Sequence, residues 1–153
     1  MPTLIVETNI QAAPERCFDL ARDIDLHCAT ASRTQERAIA GVTSGLIGLG
    51  ESVTFEGVHF GVRQRFTARV TEFDFPHRFV DEMTRGAFRT MKHVHEFAPH
   101  NSGTRMTDTL IWTSPLGIMG VIADKLFVER HLRHFLLERN AALKAFAETE
   151  QNA

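Results

Sequence analysis

Apolar and polar residues alternate with a period of two along several stretches of this chain, and with a period near 3.6 along its last third. Thr3 to Ile10 alternates around Leu4, Val6 and Thr8 among β-branched neighbours and predicts a strand. Ala13-Pro14 predicts a helix start, with proline at the first helical position and Cys17, Phe18, Leu20 and Ala21 forming an apolar face. Asp23 to Ala31 predicts a second, shorter helix, Gln35 to Ala40 a weak strand, and the glycine-rich Gly41 to Gly50 a loop. Strands follow over Glu51 to Glu56, Val62 to Phe73, Arg78 to Thr84, Phe88 to Phe97 and Thr104 to Thr113. They are separated by turns at Pro76-His77 and Arg85-Gly86 and by a loop from Pro99 to Gly103. In the clearest of them, Val62, Gln64, Phe66, Ala68 and Val70 share one face and Arg63, Arg65, Thr67, Arg69 and Thr71 the other, which fits a sheet wet on one side. Short connections imply antiparallel neighbours.

Ser114-Pro115 ends the strands. Leu116 to about Glu148 contains no proline and predicts one long helix, kinked near Gly117 and Gly120. Val121, Val128, Leu132, Phe135, Leu143 and Phe146 form its stripe, and Ile118, Ile122 and Leu126 add a second stripe to its first half. A helix apolar on two sides must be covered on both, or it faces a ligand or partner. The order predicts an α+β fold, a curved antiparallel sheet of about six to seven strands wrapped around a long C-terminal helix, as a single domain over residues 1–150. Such a sheet leaves space against its helix. Empty apolar space costs roughly 24 cal/mol per Å³, so a fold that keeps it is expected to fill it.

At 43% hydrophobic and 24% charged residues, the 153-residue chain has a globular composition, which excludes disorder, coiled coil and collagen. A net charge of -2 provides no general attraction to phosphate backbones or anionic lipid. The row Arg63, Arg65 and Arg69 lacks interleaved aromatics, so no nucleic-acid partner is expected. No apolar run reaches 18 residues and the N-terminus MPTLIVETNI is not a signal peptide, so no stable membrane insertion is expected. Cys17 and Cys28 read as small buried hydrophobes in a reducing compartment, and the expected location is cytoplasmic. Twelve Phe, one Trp and no Tyr suit a greasy interior without naming a ligand.

Several local markers recur in a recognisable order. They are Ala13-Pro14-Glu15, Pro76-His77-Arg78-Phe79, Asp81-Glu82 to Gly86 and Phe88, His93-Val94-His95-Glu96-Phe97, Gly103-Thr104 to Asp108, and Ser114-Pro115-Leu116-Gly117. From Leu4 to about Phe146 the chain resembles the START/Bet v 1-like superfamily, also called SRPBCC or the helix-grip fold. It looks most like its bacterial ligand-binding members near the polyketide cyclase/dehydrase and coenzyme Q-binding branch. The resemblance implies a hydrophobic small molecule (lipid, quinone or polyketide-like) held between sheet and helix. It carries over no catalytic residue, and no cofactor is expected.

Candidate chemistry centres on His93 and His95, which alternation puts on one strand face with Met91 and Phe97. On the next strand Met106, Asp108, Leu110 and Trp112 form the more apolar face, and Asp108 falls opposite His93 or His95. Asp81, on a face with Phe79 and Met83, joins them if that face looks inward. The polar island Asp81, His93, His95 and Asp108 could satisfy itself, orient a ligand, or transfer protons with His93 or His95 as base and Asp108 as orienter. The expected wall comprises Phe66, Val70, Met83, Met91, Leu110, Trp112, Ile122 and Leu126. His93, His95 and Asp108 form a two-His, one-carboxylate set, but no metal is expected there. His131 and His134 with Glu138 lack an HExxH pattern and read as a wet helix face. The glycine run lacks a phosphate-loop pattern, and Ser44 and Ser114 lie in no G-x-S-x-G setting. Arg139, within the core stripe, snorkels or pairs with a buried acid. Three functions stand: a binding protein for an apolar small molecule, a cyclase-, dehydratase- or hydrolase-type enzyme, and a regulator docking a partner on the two-sided helix, with a homodimer left open.

Overall fold

A computed structural model describes residues 1–31 and 34–151. Seven antiparallel strands form one sheet: β1 Thr3–Ile10, β2 Arg37–Gly41, β3 Ser52–His59, β4 Val62–Asp74, β5 Arg78–Arg85, β6 Thr90–His100 and β7 Gly103–Thr113. Their spatial order is β1-β7-β6-β5-β4-β3-β2, so β1 crosses over to pair with β7 while the rest meander. Register shifts at Thr67/Ala68 and Val70/Glu72 in the β4–β5 pair, and at Ala38/Ala40 in the β2–β3 pair, insert bulges that bend the sheet.

Two short helices, α1 Pro14–Ala21 and α2 Ile24–Thr30, follow β1. Pro14 opens α1, and the Asp23 carboxylate caps α2 by accepting from the Leu26 N–H at 3.1 Å. After β7 the chain forms α3 Gly117–Ala123, a π-helical segment Asp124–Val128, and α4 Glu129–Gln151. The expected kink is thus a π-bulge between two α-helical stretches. α4 packs along β1, α1 and α2. No helix among the described residues is long and apolar enough to cross a membrane.

Buried side chains form three neighbouring groups. Phe18 of α1 meets Phe73, Phe75 and Phe79 edge-on at 5.0–5.2 Å between ring centres, in a group that includes Ile10, Phe97, Met106 and Leu143. Trp112 anchors the second with Leu4, Val6, Met91, Leu110 and Leu136, and Val53, Phe55 and Val70 belong to the third. Burying one such aromatic or branched side chain contributes about 1.5–3 kcal/mol.

Two expectations are corrected. The loop at Pro99 to Gly103 shrinks to Asn101-Ser102, because β6 and β7 pair as far as His100 and Gly103. Proline is tolerated at 99 because β5 no longer pairs β6 beyond Glu96. The stripe of the last helix runs through Leu132, Phe135, Leu136, Asn140, Leu143 and Ala147, whereas Val121 and Phe146 are exposed. The π-bulge rotates the first half of the helix relative to the second, so a stripe drawn at constant 3.6 spacing across it misassigns Val121, while within α4 the buried positions continue from Leu143 to Ala147 and leave Phe146 at the edge of the stripe.

Candidate functional site

The site begins with strand register. Asp81 of β5 lies opposite His93 of β6, and His95 of β6 lies opposite Asp108 of β7. All four side chains stand on the concave face, where the diagonal contacts become the short ones. His93 Nε2 donates to Asp108 Oδ1 at 2.7 Å, and His95 Nε2 donates to Asp81 Oδ2 at 2.7 Å. His95 Nδ1 lies 3.3 Å from the same Asp108 oxygen. From α4, Asn140 Nδ2 donates to Asp108 Oδ2 at 2.7 Å. The result is a continuous chain, Asp81–His95–Asp108–His93, tied to the terminal helix by Asn140. Stacking fixes the rings: His95 lies between Phe79 at 4.1 Å and His93 at 3.7 Å, centre to centre.

Hydrogen bonding dictates the protonation states. Both His95 nitrogens face carboxylate oxygens, which suits an imidazolium with two donors. Burial opposes that charge, but the bonds to Asp108 and Asp81 outweigh it and raise the His95 pKa. Burial and the neighbouring His95 charge lower the His93 pKa, so His93 is neutral, with its proton on Nε2 and its Nδ1 lone pair free of that bond. Burial alone would raise Asp81 and Asp108. The bonds from His95 to Asp81, and from His93 and His95 to Asp108, hold both carboxyls below the usual range, Asp108 far below it.

The island borders a cavity of about 360 Å³ between the sheet and the terminal helix. Of the residues expected there, Phe66, Val70, Asp81, Met91, His93, His95 and Leu110 line it. Asp108 does not; it is fully buried one layer behind, holding the two histidines. Trp112 is likewise packed into the core. Met83 packs against Phe66 and the Gly86 turn rather than lining the space. Ile122 and Leu126 are corrected more sharply: they are 55% and 59% exposed and point away from the cavity. Gly120 and Ala123 face it instead. A Cβ on Gly120 would lie 2.7 Å from the Ser114 Cβ, so glycine lets this turn of α3 close down on the end of β7. The apolar residues beside it are displaced outward.

Other lining groups had weaker sequence signals. Arg139 of α4 is buried, and its Nη2 donates to the Ala21 carbonyl at 3.1 Å. It makes no ion pair with a buried acid among the described residues; its place in a core stripe was the available signal. His27 lies 3.6 Å from Glu36 and stacks on Phe55 at 4.1 Å. His131, read as a wet helix residue, reaches back to bond His59 at 2.9 Å beside the cavity. Nothing local links His27 to Glu36 or His59 to His131; only folding brings them together.

Metal-type spacing occurs among Asp81, His93 and His95, whose ligand atoms lie within 4.8 Å of one another. The carboxylate is Asp81 rather than the expected Asp108. Carboxylates already engage both His95 nitrogens and one His93 nitrogen, so a cation there would compete with those bonds.

No family model matches the chain, and no curated protein does. Solved structures match over nearly its whole length. A Thermus thermophilus protein, TTHA0849, is 22% identical with a TM-score of 0.75, covering 95% of this chain and 99% of that one. The major latex-like protein 151 of Panax ginseng is 12% identical with a TM-score of 0.71, covering 95% and 97%. Ara h 8.0201 is 12% identical with a TM-score of 0.67, covering 97% and 98%. At these identities the likeness is one of architecture, and the curved seven-stranded sheet closed over a terminal helix gives this chain the Bet v 1-like helix-grip fold.

Proposed function

We propose that this protein binds an apolar small molecule in the cavity between its sheet and terminal helix. One observation carries the reading: the space of about 360 Å³ is walled mainly by apolar side chains such as Phe55, Phe66, Val70, Met91, Leu110 and Phe135, with polar side chains such as Asp81, His93 and His95 among them. An apolar wall with a few placed polar groups is what a lipid-, quinone- or polyketide-like guest requires. The binding unit is taken as one domain over residues 1–150, in the cytoplasm, where its two free thiols would stay reduced. Native mass spectrometry of gently purified protein is expected to show a co-purified apolar mass. A clean apo mass, with no thermal shift from any member of an apolar library, would count against binding.

A second reading, proton-transfer catalysis of the cyclase or dehydratase type, is favoured by the 2.7 Å bond from His93 to buried Asp108. Neutral His93 would act as base through Nδ1, with Asp108 orienting the ring. His93→Ala and His95→Ala are then expected to abolish turnover of a bound substrate while binding persists. Turnover that survives both changes eliminates this mechanism.

A further inference from the structure

We propose that this protein docks on the surface of an anionic lipid bilayer through the apolar turns of α3 and the π-helical segment. The inference goes beyond the binding reading, and its test needs no guest. Three connections meet at one end of the sheet: the β3–β4 turn at Phe60, the β5–β6 turn at Ala87-Phe88, and the exit of β7 into α3. His59 pairs with Val62 and Thr90 with Thr113, and the Arg89 N–H donates to the Thr113 carbonyl at 2.8 Å. Phe60 and Leu116 line the cavity and are also exposed, so its wall reaches the surface at this end. From Ser114 to Ala123 the chain holds no charged residue. Gly120 and Ala123 face the cavity, which turns the larger apolar side chains outward. Ile118 is 81% exposed, Met119 74% and Phe127 64%, with Val121, Ile122 and Leu126 exposed beside them. A contiguous apolar surface of this kind marks a place of contact.

Charge selects the occupant. The surface of this end is positive although the chain as a whole carries a net charge of -2. Arg85, Arg89 and Arg130 are exposed and make no ion pair among the described residues. On β3, Glu56 takes Arg37, Arg63 and Arg65 at 2.9, 3.3 and 3.2 Å, so three cations share one acid. The other acids here are matched: Lys125 follows Asp124, Arg133 lies 3.5 Å from Glu129, and Lys92 stands opposite Glu82. A second copy of the chain suits this surface poorly. A twofold dimer sets a face against itself, so the arginines of two copies would meet. An anionic bilayer takes up the apolar side chains and opposes the cations at the same time.

Co-sedimentation with vesicles of phosphatidylcholine, alone or mixed with phosphatidylglycerol, tests the proposal on the wild-type protein. Binding to the mixed vesicles is expected to be roughly tenfold or more tighter than to the neutral ones, and to weaken with added salt. Ile118→Asn, a neutral change at an exposed position, should weaken binding to mixed vesicles roughly tenfold. Arg85→Gln combined with Arg89→Gln should remove most of the preference for anionic lipid. Both variants should melt at the wild-type temperature. No binding to either vesicle, or equal binding to both, overturns the proposal, and so does undiminished binding by Ile118→Asn. A concentration-dependent dimer that Ile118→Asn splits in sedimentation velocity also overturns it, and makes this face a contact between copies. Native mass spectrometry decides the cavity reading separately, so either can fail without the other.

Discussion

Asp108 shows how much one buried side chain can organise. It is 1% exposed and accepts from His93, from His95 and from Asn140, so three elements meet on one carboxylate. Removing one partner of a buried charge cluster leaves the others uncompensated, and Asp108→Asn is expected to lower stability by about 3–5 kcal/mol in urea unfolding. A loss under 1 kcal/mol would mean that the chain of bonds carries little energy. Acidity should act through the same residues. An unfolded chain takes up protons at Asp81 and Asp108 near pH 4, while the native carboxyls stay ionised. The native state thus binds fewer protons, and stability falls as pH drops through that range. His95 works in the opposite sense. Its raised native pKa makes a contribution that is complete below about pH 6.5 and is lost as pH rises through the native value. Unfolding midpoints measured from pH 3 to 9 should show the acid loss, and Asp108→Asn should flatten it.

Among the elements, the β6–β7 hairpin is the one on which the site depends, since it sets His95 against Asp108. Its two-residue turn has positive φ at both Asn101 (47°) and Ser102 (64°), the conformation of the tight hairpin turn whose twist matches the strands. Asparagine tolerates that region; serine is strained there. Ser102→Gly is therefore expected to stabilise by about 0.5–1 kcal/mol. The neighbouring position behaves in the reverse way. A Cβ on Gly103 would lie 2.3 Å from the Ile10 carbonyl oxygen, so Gly103→Ala should push β1 off β7 and cost about 1–3 kcal/mol. Denaturation curves of the two adjacent variants should shift in opposite directions, and a shared direction would contradict this account of the turn.

At the scale of the whole molecule, the sheet, bent at its bulges, and the terminal helix, rotated at its π-bulge, enclose a space that their side chains do not fill. A guest that binds only the folded state stabilises it by mass action. At 100 times its Kd the stabilisation is about 2.7 kcal/mol, or roughly 5–11 °C in Tm for a chain of this size. A thermal-melt titration with an apolar probe such as 2-acetonaphthone checks this directly, and binding measured without that rise would mean that the unfolded chain takes up the probe as well.

The strand series and its faces were legible along the chain because alternation reports the buried side of a half-wet sheet, and Gln64 to Val70 displays it, whereas Val62 at the start of the strand is exposed and the bulge at Val70/Glu72 turns Phe73 inward. The pairing of His93 and His95 with Asp108 was legible for the same reason, since a short hairpin leaves few registers. The depth of each residue was not legible. Asp108 and Trp112 share a strand face with Leu110, yet Leu110 lines the cavity while the other two sit behind it, because depth depends on how the sheet bends and what packs over it. The outward turn of Ile122 and Leu126 follows from a π-bulge that no periodicity announces. The bond from Arg139 to Ala21 exists only once α4 lies across α1 and the sheet, where Nη2 finds the Ala21 carbonyl while Nε finds no acceptor among the described residues. Periodicity along a chain encodes which side of an element is dry; contacts between residues more than a hundred positions apart arise only when the elements pack.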